Sequence, residues 1–168
     1  MTHLRSYLSL IDTNTIGNRN DVTPLFADRA AFSQLAADLA EPFRDADVVV
    51  AIDALGFILG TAVAGVLDVG VVPVRKRGKL PVETERVGFV DYSRERKALE
   101  VRPDALAAGA RVLVVDEWIE TGAQVRATIE LVKRLGGVVV GIATIAMDRN
   151  PQTDLLRAAY RVHTVWED

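Results

Sequence analysis

The segment RVLVVDEWIETGAQVRATIELVKRLGG, residues 111–137, orders its side chains in a way that suggests chemistry. Mostly apolar residues end in two adjacent acids, Asp116 and Glu117. A short loop follows, then Thr121, Gly122, Ala123 and Gln124 lead into an amphipathic stretch. Small residues at a helix start let backbone N–H groups approach a phosphate, and the helix dipole favours an anion there. The Thr121 hydroxyl and the Gln124 amide can add hydrogen bonds. The two acids can accept hydrogen bonds from sugar hydroxyls or help to place a metal ion. An acid pair and an anion site one loop apart suit a sugar phosphate. The loop is neither G-x-x-x-x-G-K-[ST] nor GxGxxG, which excludes a P-loop and a dinucleotide fingerprint. Taken alone, the same residues also fit a plain strand end with Thr121 as an ordinary N-cap.

Two other places share this character. The apolar run DVVVAID, residues 47–53, leads into Ala54, Leu55 and Gly56. Arg75, Lys76, Arg77 and Lys79 crowd together just after a second apolar run. An isolated RKRGK fits a solvated turn; at a strand end beside a ligand it fits neutralisation of an anion. The net charge of −3 and a pI near 5.4 argue against a protein that grips nucleic acid. With no cysteine, a Cys-ligated metal, a thiol nucleophile and a disulfide scaffold are excluded. His3 and His163 lie at opposite ends of the chain, in no ligand-like spacing.

The elements that must hold these groups are legible. Phe32, Leu35, Ala36, Leu39 and Phe43 recur at helical spacing, with Asp28 as N-cap. Strands are expected at 47–53, 71–74, 99–101, 111–115, 138–146 and 160–165, and helices at 28–43, 57–67, 121–135 and 152–159. Strand–helix alternation implies α/β: a mostly parallel central sheet flanked by helices, with ligands at the carboxyl ends of the strands. The polar stretch RKRGKLPVETERVGF reads as a long functional loop. At 168 residues the chain fits a single domain. No apolar run approaches the ~20 residues of a membrane span. The N-terminus lacks a leader pattern, so a cytoplasmic protein is expected.

The acid pair with its Thr-Gly helix start resembles the PRPP-binding signature of type I phosphoribosyltransferases. The segment VVVAIDALGFILGTAVAGVLDVGVVPVRKRGKLP, residues 48–81, resembles the adenine phosphoribosyltransferases in particular, as do Arg5–Tyr7 and residues 21–32, DVTPLFADRAAF. The likeness covers nearly the whole chain. It implies a transferase that joins a purine or purine-like nucleobase to the ribose of PRPP and releases pyrophosphate. Mg²⁺ is implied as cofactor, held mainly by PRPP, and a homodimer is implied as the assembly, with no nucleic-acid or membrane partner. It divides residues 1–168 into a hood over 1–27 and a core over 28–168, with a flexible loop at 77–96. Asp116 and Glu117 would hold the ribose hydroxyls, and Glu120, Thr121, Gly122, Ala123 and Gln124 the 5′-phosphate. Asp53, Ala54, Leu55 and Gly56 would form the pyrophosphate loop, and Arg75, Lys76 and Lys79 would face pyrophosphate, partly across a dimer interface. Glu120, Lys79 and Asp91 are the catalytic candidates. Asp91 and Tyr92 resemble the Glu-Tyr pair of the family.

The chain also departs from that pattern. Leu55 replaces an arginine of the pyrophosphate turn, and Trp118 is bulkier than the usual aliphatic residue. Ala123–Gln124 replaces Gly-Thr. The hood reads GNRND, residues 17–21, without the phenylalanine–arginine pair expected for stacking on adenine, unless Arg19 substitutes. Glu120 replaces a small residue, where related oxopurine enzymes carry an aspartate near the base. Two alternatives therefore stand beside adenine transfer: an oxopurine or specialised heterocycle as acceptor, and a PRPP- or nucleotide-binding regulator without turnover.

Overall fold

The computed structural model describes residues 5–17, 19–90 and 95–166. Seven strands form the central sheet: β1 (Val48–Ile52), β2 (Gly70–Lys76), β3 (Glu85–Val90), β4 (Arg96–Val101), β5 (Arg111–Val115), β7 (Val138–Thr144) and β9 (Val162–Thr164). Their order is β3-β4-β2-β1-β5-β7-β9. β2, β1, β5, β7 and β9 pair in parallel. β3 and β4 form an antiparallel extension, β4 pairing with β2 through Arg75 opposite Glu100. A separate two-residue pair joins β6 (Trp118–Ile119) to β8 (Ala146–Met147).

β1 and β5 are β-branched and buried on both faces, which is what helices on both sides require. Adjacent residues therefore enter different cores. Val49, Leu113 and Val115 pack with α2 (Arg29–Ala40) and α3 (Leu55–Leu67). Val50, Ile52, Val112 and Val114 pack under α4 (Ala123–Arg134). The expected Asp28 cap is present, its Oδ1 accepting from the Ala31 N–H at 2.8 Å. Tyr7, Ile11, Val22 and Leu25, from the N-terminal region with α1 (Thr23–Ala27), join the first core. α5 (Pro151–Ala159) closes the fold beside α4.

The expected long loop is shorter. Glu85–Val90 is a strand, because Val87 and Phe89 alternate with exposed residues and pack against the α4 core. The charges around them hide that period. The start of α4 also differs from expectation: Gly122, not Thr121, is the N-cap.

Candidate active site

Three turns meet at the carboxyl ends of β1, β2 and β5. The first follows β1, where the Asp53–Ala54 peptide is cis. Its Asp53 carboxylate accepts from the Lys76 backbone N–H at 3.4 Å and lies 4.0 Å from the Lys76 ammonium. Its Gly56 abuts the third turn: a Cβ there would lie 3.0 Å from Asp116 Oδ1 and 3.2 Å from the Val115 carbonyl oxygen. Asp53, Gly56, Lys76 and Asp116 are thus brought together from three places in the chain. Leu55, the first residue of the helix that follows, is 41% exposed and brings no cation of its own to the turn.

The acid turn collects like charges. Burial pushes the Asp116 carboxyl up to about 8, with Glu117 and Glu120 adding to the rise, while the Glu117 N–H and Lys76 oppose it. That N–H donates to Asp116 Oδ1 at 2.9 Å. Burial likewise pushes Glu117 up to about 7, helped by Glu120 and Asp21 and opposed by Arg19. Carboxyls held this far above their ordinary range, at a strand end, are a common mark of a functional site.

Beyond the acids the backbone is braced from below. Gly122 has φ +75°, and a Cβ on it would meet Leu156 Cδ1 at 2.8 Å. Only glycine combines that backbone with so close a neighbour. Asn150 accepts from the N–H groups of Gln152 and Thr153, capping α5, and its Nδ2 donates to the Glu120 carbonyl at 2.8 Å. The Trp118 indole N–H donates to Asp148 at 2.9 Å, and its ring meets Trp166 edge-on at 5.8 Å. The Thr121 hydroxyl accepts from the Ala123 N–H at 3.3 Å. Gln124 Oε1 is buried without a hydrogen-bond partner. The start of α4 remains open on one side, where a groove of about 350 Å³ runs between β3 and Ala123, Arg126 and Ala127.

From the hood, Arg19 reaches Glu120, Nε to Oε1 at 2.8 Å. Thr15 donates to the Arg19 carbonyl, and the Asp12–Asp21 backbone bridge closes the loop that carries it. A hood cation therefore faces the acid turn. Asp91 and Tyr92 lie outside the described residues, as does His3. His163 is half-buried on β9, within 3.1 Å of the Asp38 carbonyl oxygen and away from the acid turn.

Two residues at the site escape the sequence reading. Asn150 sits in Asn-Pro at a helix start, a recognisable cap signal, but its bond to Glu120 is non-local. Glu100 is an acid inside an apolar strand and is wholly buried; it accepts from the Lys79 and Leu80 N–H groups at 2.8 and 2.9 Å.

Acid pair, helix start and basic turn lie at the carboxyl ends of the neighbouring strands β2, β1 and β5. Residues 26–166 match the phosphoribosyl transferase domain model, and the chain belongs to that family. Over 126 residues it is 47% identical to the adenine phosphoribosyltransferase of Dinoroseobacter shibae, an alignment that covers 73% of this chain and 69% of that protein. The crystal structure of the adenine phosphoribosyltransferase of Rhodothermus marinus superposes with a TM-score of 0.86 at 37% identity, covering 96% of both chains. The Saccharomyces cerevisiae enzyme, solved with an imino-altritol bisphosphate and adenine, gives 0.79 at 26% identity, covering 97% of this chain and 98% of its own.

Proposed function

We propose that the protein transfers the 5-phosphoribosyl group of PRPP to adenine and releases pyrophosphate. One observation carries this reading: the Asp53 turn, Lys76 and the Asp116 turn converge at the carboxyl ends of three neighbouring strands. Cations and acids then lie within reach of one substrate that bears a diphosphate, a ribose and a 5′-phosphate.

Breaking the bond to pyrophosphate leaves positive charge on the sugar and negative charge on the leaving group. Arg75, Lys76 and Lys79 neutralise the departing diphosphate, and the backbone of Ala54–Gly56 supplies N–H groups beside them. Asp116 and Glu117 face the ribose hydroxyls, and in their ionised forms they stabilise the positive charge on the ring. The backbone of Glu120–Gln124 cradles the 5′-phosphate at the α4 dipole. Glu120, next to the phosphate loop and under Arg19, takes the proton that the acceptor nitrogen gives up, with Asp91 as a second candidate for proton handling.

Among the described residues no group of three or more His, Cys, Asp or Glu side chains gathers to hold a metal alone. Asp116 and Glu117 offer hard oxygen donors of the kind Mg²⁺ accepts, so they would face an ion carried chiefly on PRPP. When bound, Mg²⁺ adds neutralisation of the diphosphate. No described helix is long and apolar enough to cross a membrane. We place the protein in the cytoplasm with its phosphorylated substrate.

A homodimer is part of the same proposal. α3 carries no charged residue, yet Leu55 and Ile58 are exposed on it, and Val71 of the neighbouring β2 is exposed as well. Such an apolar face suits a second copy of the chain. Light scattering should give twice the chain mass of 18.3 kDa.

The deciding experiment incubates the protein with PRPP, Mg²⁺ and a panel of bases, with mass analysis of products. AMP and pyrophosphate from adenine are expected. Nucleotide from an oxopurine alone would move the acceptor to the class that Glu120 also suits, and no nucleotide from any base would overturn the transferase reading.

A further inference from the structure

We propose that Glu100 is a positioning residue for pyrophosphate: its buried carboxylate grips the backbone of the turn that carries Lys79 and so fixes where that turn's cations stand. The inference rests on the transferase reading above. Glu100 is the next-to-last residue of β4, opposite Arg75 of β2 on one side and Arg86 of β3 on the other. It is 0% exposed. The Lys79 and Leu80 N–H groups donate to its Oε1 at 2.8 and 2.9 Å, and Arg86 Nε meets its Oε2 at 3.1 Å.

Burial alone would raise this carboxyl. The N–H groups of Leu80, Gly78 and Lys79, with Arg86, instead hold it down at about 2. It therefore stays ionised at neutral pH and serves as a fixed acceptor. The same turn is held from its other side: Arg75 Nη1 donates to the Lys79 carbonyl at 3.0 Å. Both backbone polar groups of Lys79 are thus clamped, one by the acid and one by the arginine. The Lys79 side chain is left exposed. Gly78, at φ +82°, reverses the chain just before it.

An acid under an anion site would ordinarily repel the anion. Here its charge is spent on backbone donors and Arg86, so the cost is offset and the gain is placement. A lysine on a flexible stem brings charge but little geometry. Fixing its backbone supplies the geometry, and rigid placement of charge is what a leaving group in flight requires.

The test is calorimetric binding of magnesium pyrophosphate and, separately, of ribose 5-phosphate to the full chain. Glu100→Gln keeps the volume and loses the charge. We expect pyrophosphate affinity to fall about tenfold while ribose 5-phosphate affinity changes less than twofold. A second variant reaches the turn without touching the acid: Gly78→Ala, whose Cβ meets nothing within 4 Å, forces only the backbone. It should show the same selectivity, with a loss of about fivefold. In the Glu100→Gln background, Lys79→Gln should cost clearly less than it does in the native protein, since its lysine is already displaced. Equal weakening of both ligands, unchanged pyrophosphate binding in Gly78→Ala, or strict additivity with Lys79→Gln overturns the proposal. If the native protein binds neither probe nor PRPP, the transferase reading falls and takes this inference with it; if it binds them and the variants bind both probes as the native protein does, only this inference falls.

Discussion

The turn after β5 and the turn after β2 handle charge in opposite ways. The acid turn crowds Asp116, Glu117 and Glu120 together, so that burial and mutual repulsion raise the first two. The basic turn wraps its backbone around one acid, Glu100, which is thereby lowered. The first arrangement keeps its carboxyls poorly satisfied in the free protein, ready for hydroxyls and a cation. The second leaves its lysines exposed and holds the Lys79 backbone from both sides, by Glu100 and by Arg75. A site for a polyanionic sugar needs both: donors fixed in advance where charge builds, and acceptors that improve when the sugar arrives.

The contrast can be broken first at its two left-handed glycines. Gly122→Ala forces a Cβ against buried Leu156 at 2.8 Å and should cost about 3 kcal/mol in stability, with PRPP affinity down about 100-fold. Gly78→Ala meets open space and should cost only about 1 kcal/mol. Chemical denaturation of the two variants checks the pair; equal costs would mean that the acid turn is no more tightly braced than the basic one.

Glu120→Ala comes next. Turnover should fall roughly 100-fold, far more than PRPP affinity. Steady-state kinetics with varied PRPP separates the two, and an equal loss in both would count against proton handling by Glu120. The effect of Asn150→Asp should be smaller. The aspartate still caps α5 but cannot donate to the Glu120 carbonyl. A rise of about fivefold in KM for PRPP, with kcat nearly kept, is the expected reading.

The smallest effect is one of pH. The folded-state pKa of Asp116 and Glu117 stands above the unfolded value, so the folded chain binds more protons between roughly pH 4 and pH 8. Their contribution is fully present below the unfolded value and is lost as pH rises through about 7 to 8. Asp116→Asn, which does not titrate, should therefore gain on the native protein as pH rises. Thermal melts should show a gain of about 3 °C at pH 8 over that at pH 5. A constant difference would mean that Asp116 is not raised.

Much of this frame was open to reading in the chain itself. β1, β5 and α4 declare themselves by local periodicity, and the acid turn follows because it joins two of them. The basic turn was visible as a composition but not as a structure. Its anchor, Glu100, takes its meaning from β2 and β3, which lie beside β4 only after folding. β3 went unread because Glu85, Arg86 and the charges before them mask the alternation of Val87 and Phe89. β6 and β8, two residues each, are too short for any period to show. Glu120 stands out in the sequence for its chemistry, while its ion pair with Arg19 joins residues a hundred positions apart and shows only in the folded chain.

The indole contact beside the acid turn has a practical consequence. The chain contains two tryptophans, and both belong to that contact, Trp118 directly following Glu117. All indole emission therefore originates at one spot, next to the Glu117 carboxyl. If the sugar phosphate binds there as proposed, a titration followed at the emission wavelength needs neither label nor coupled assay.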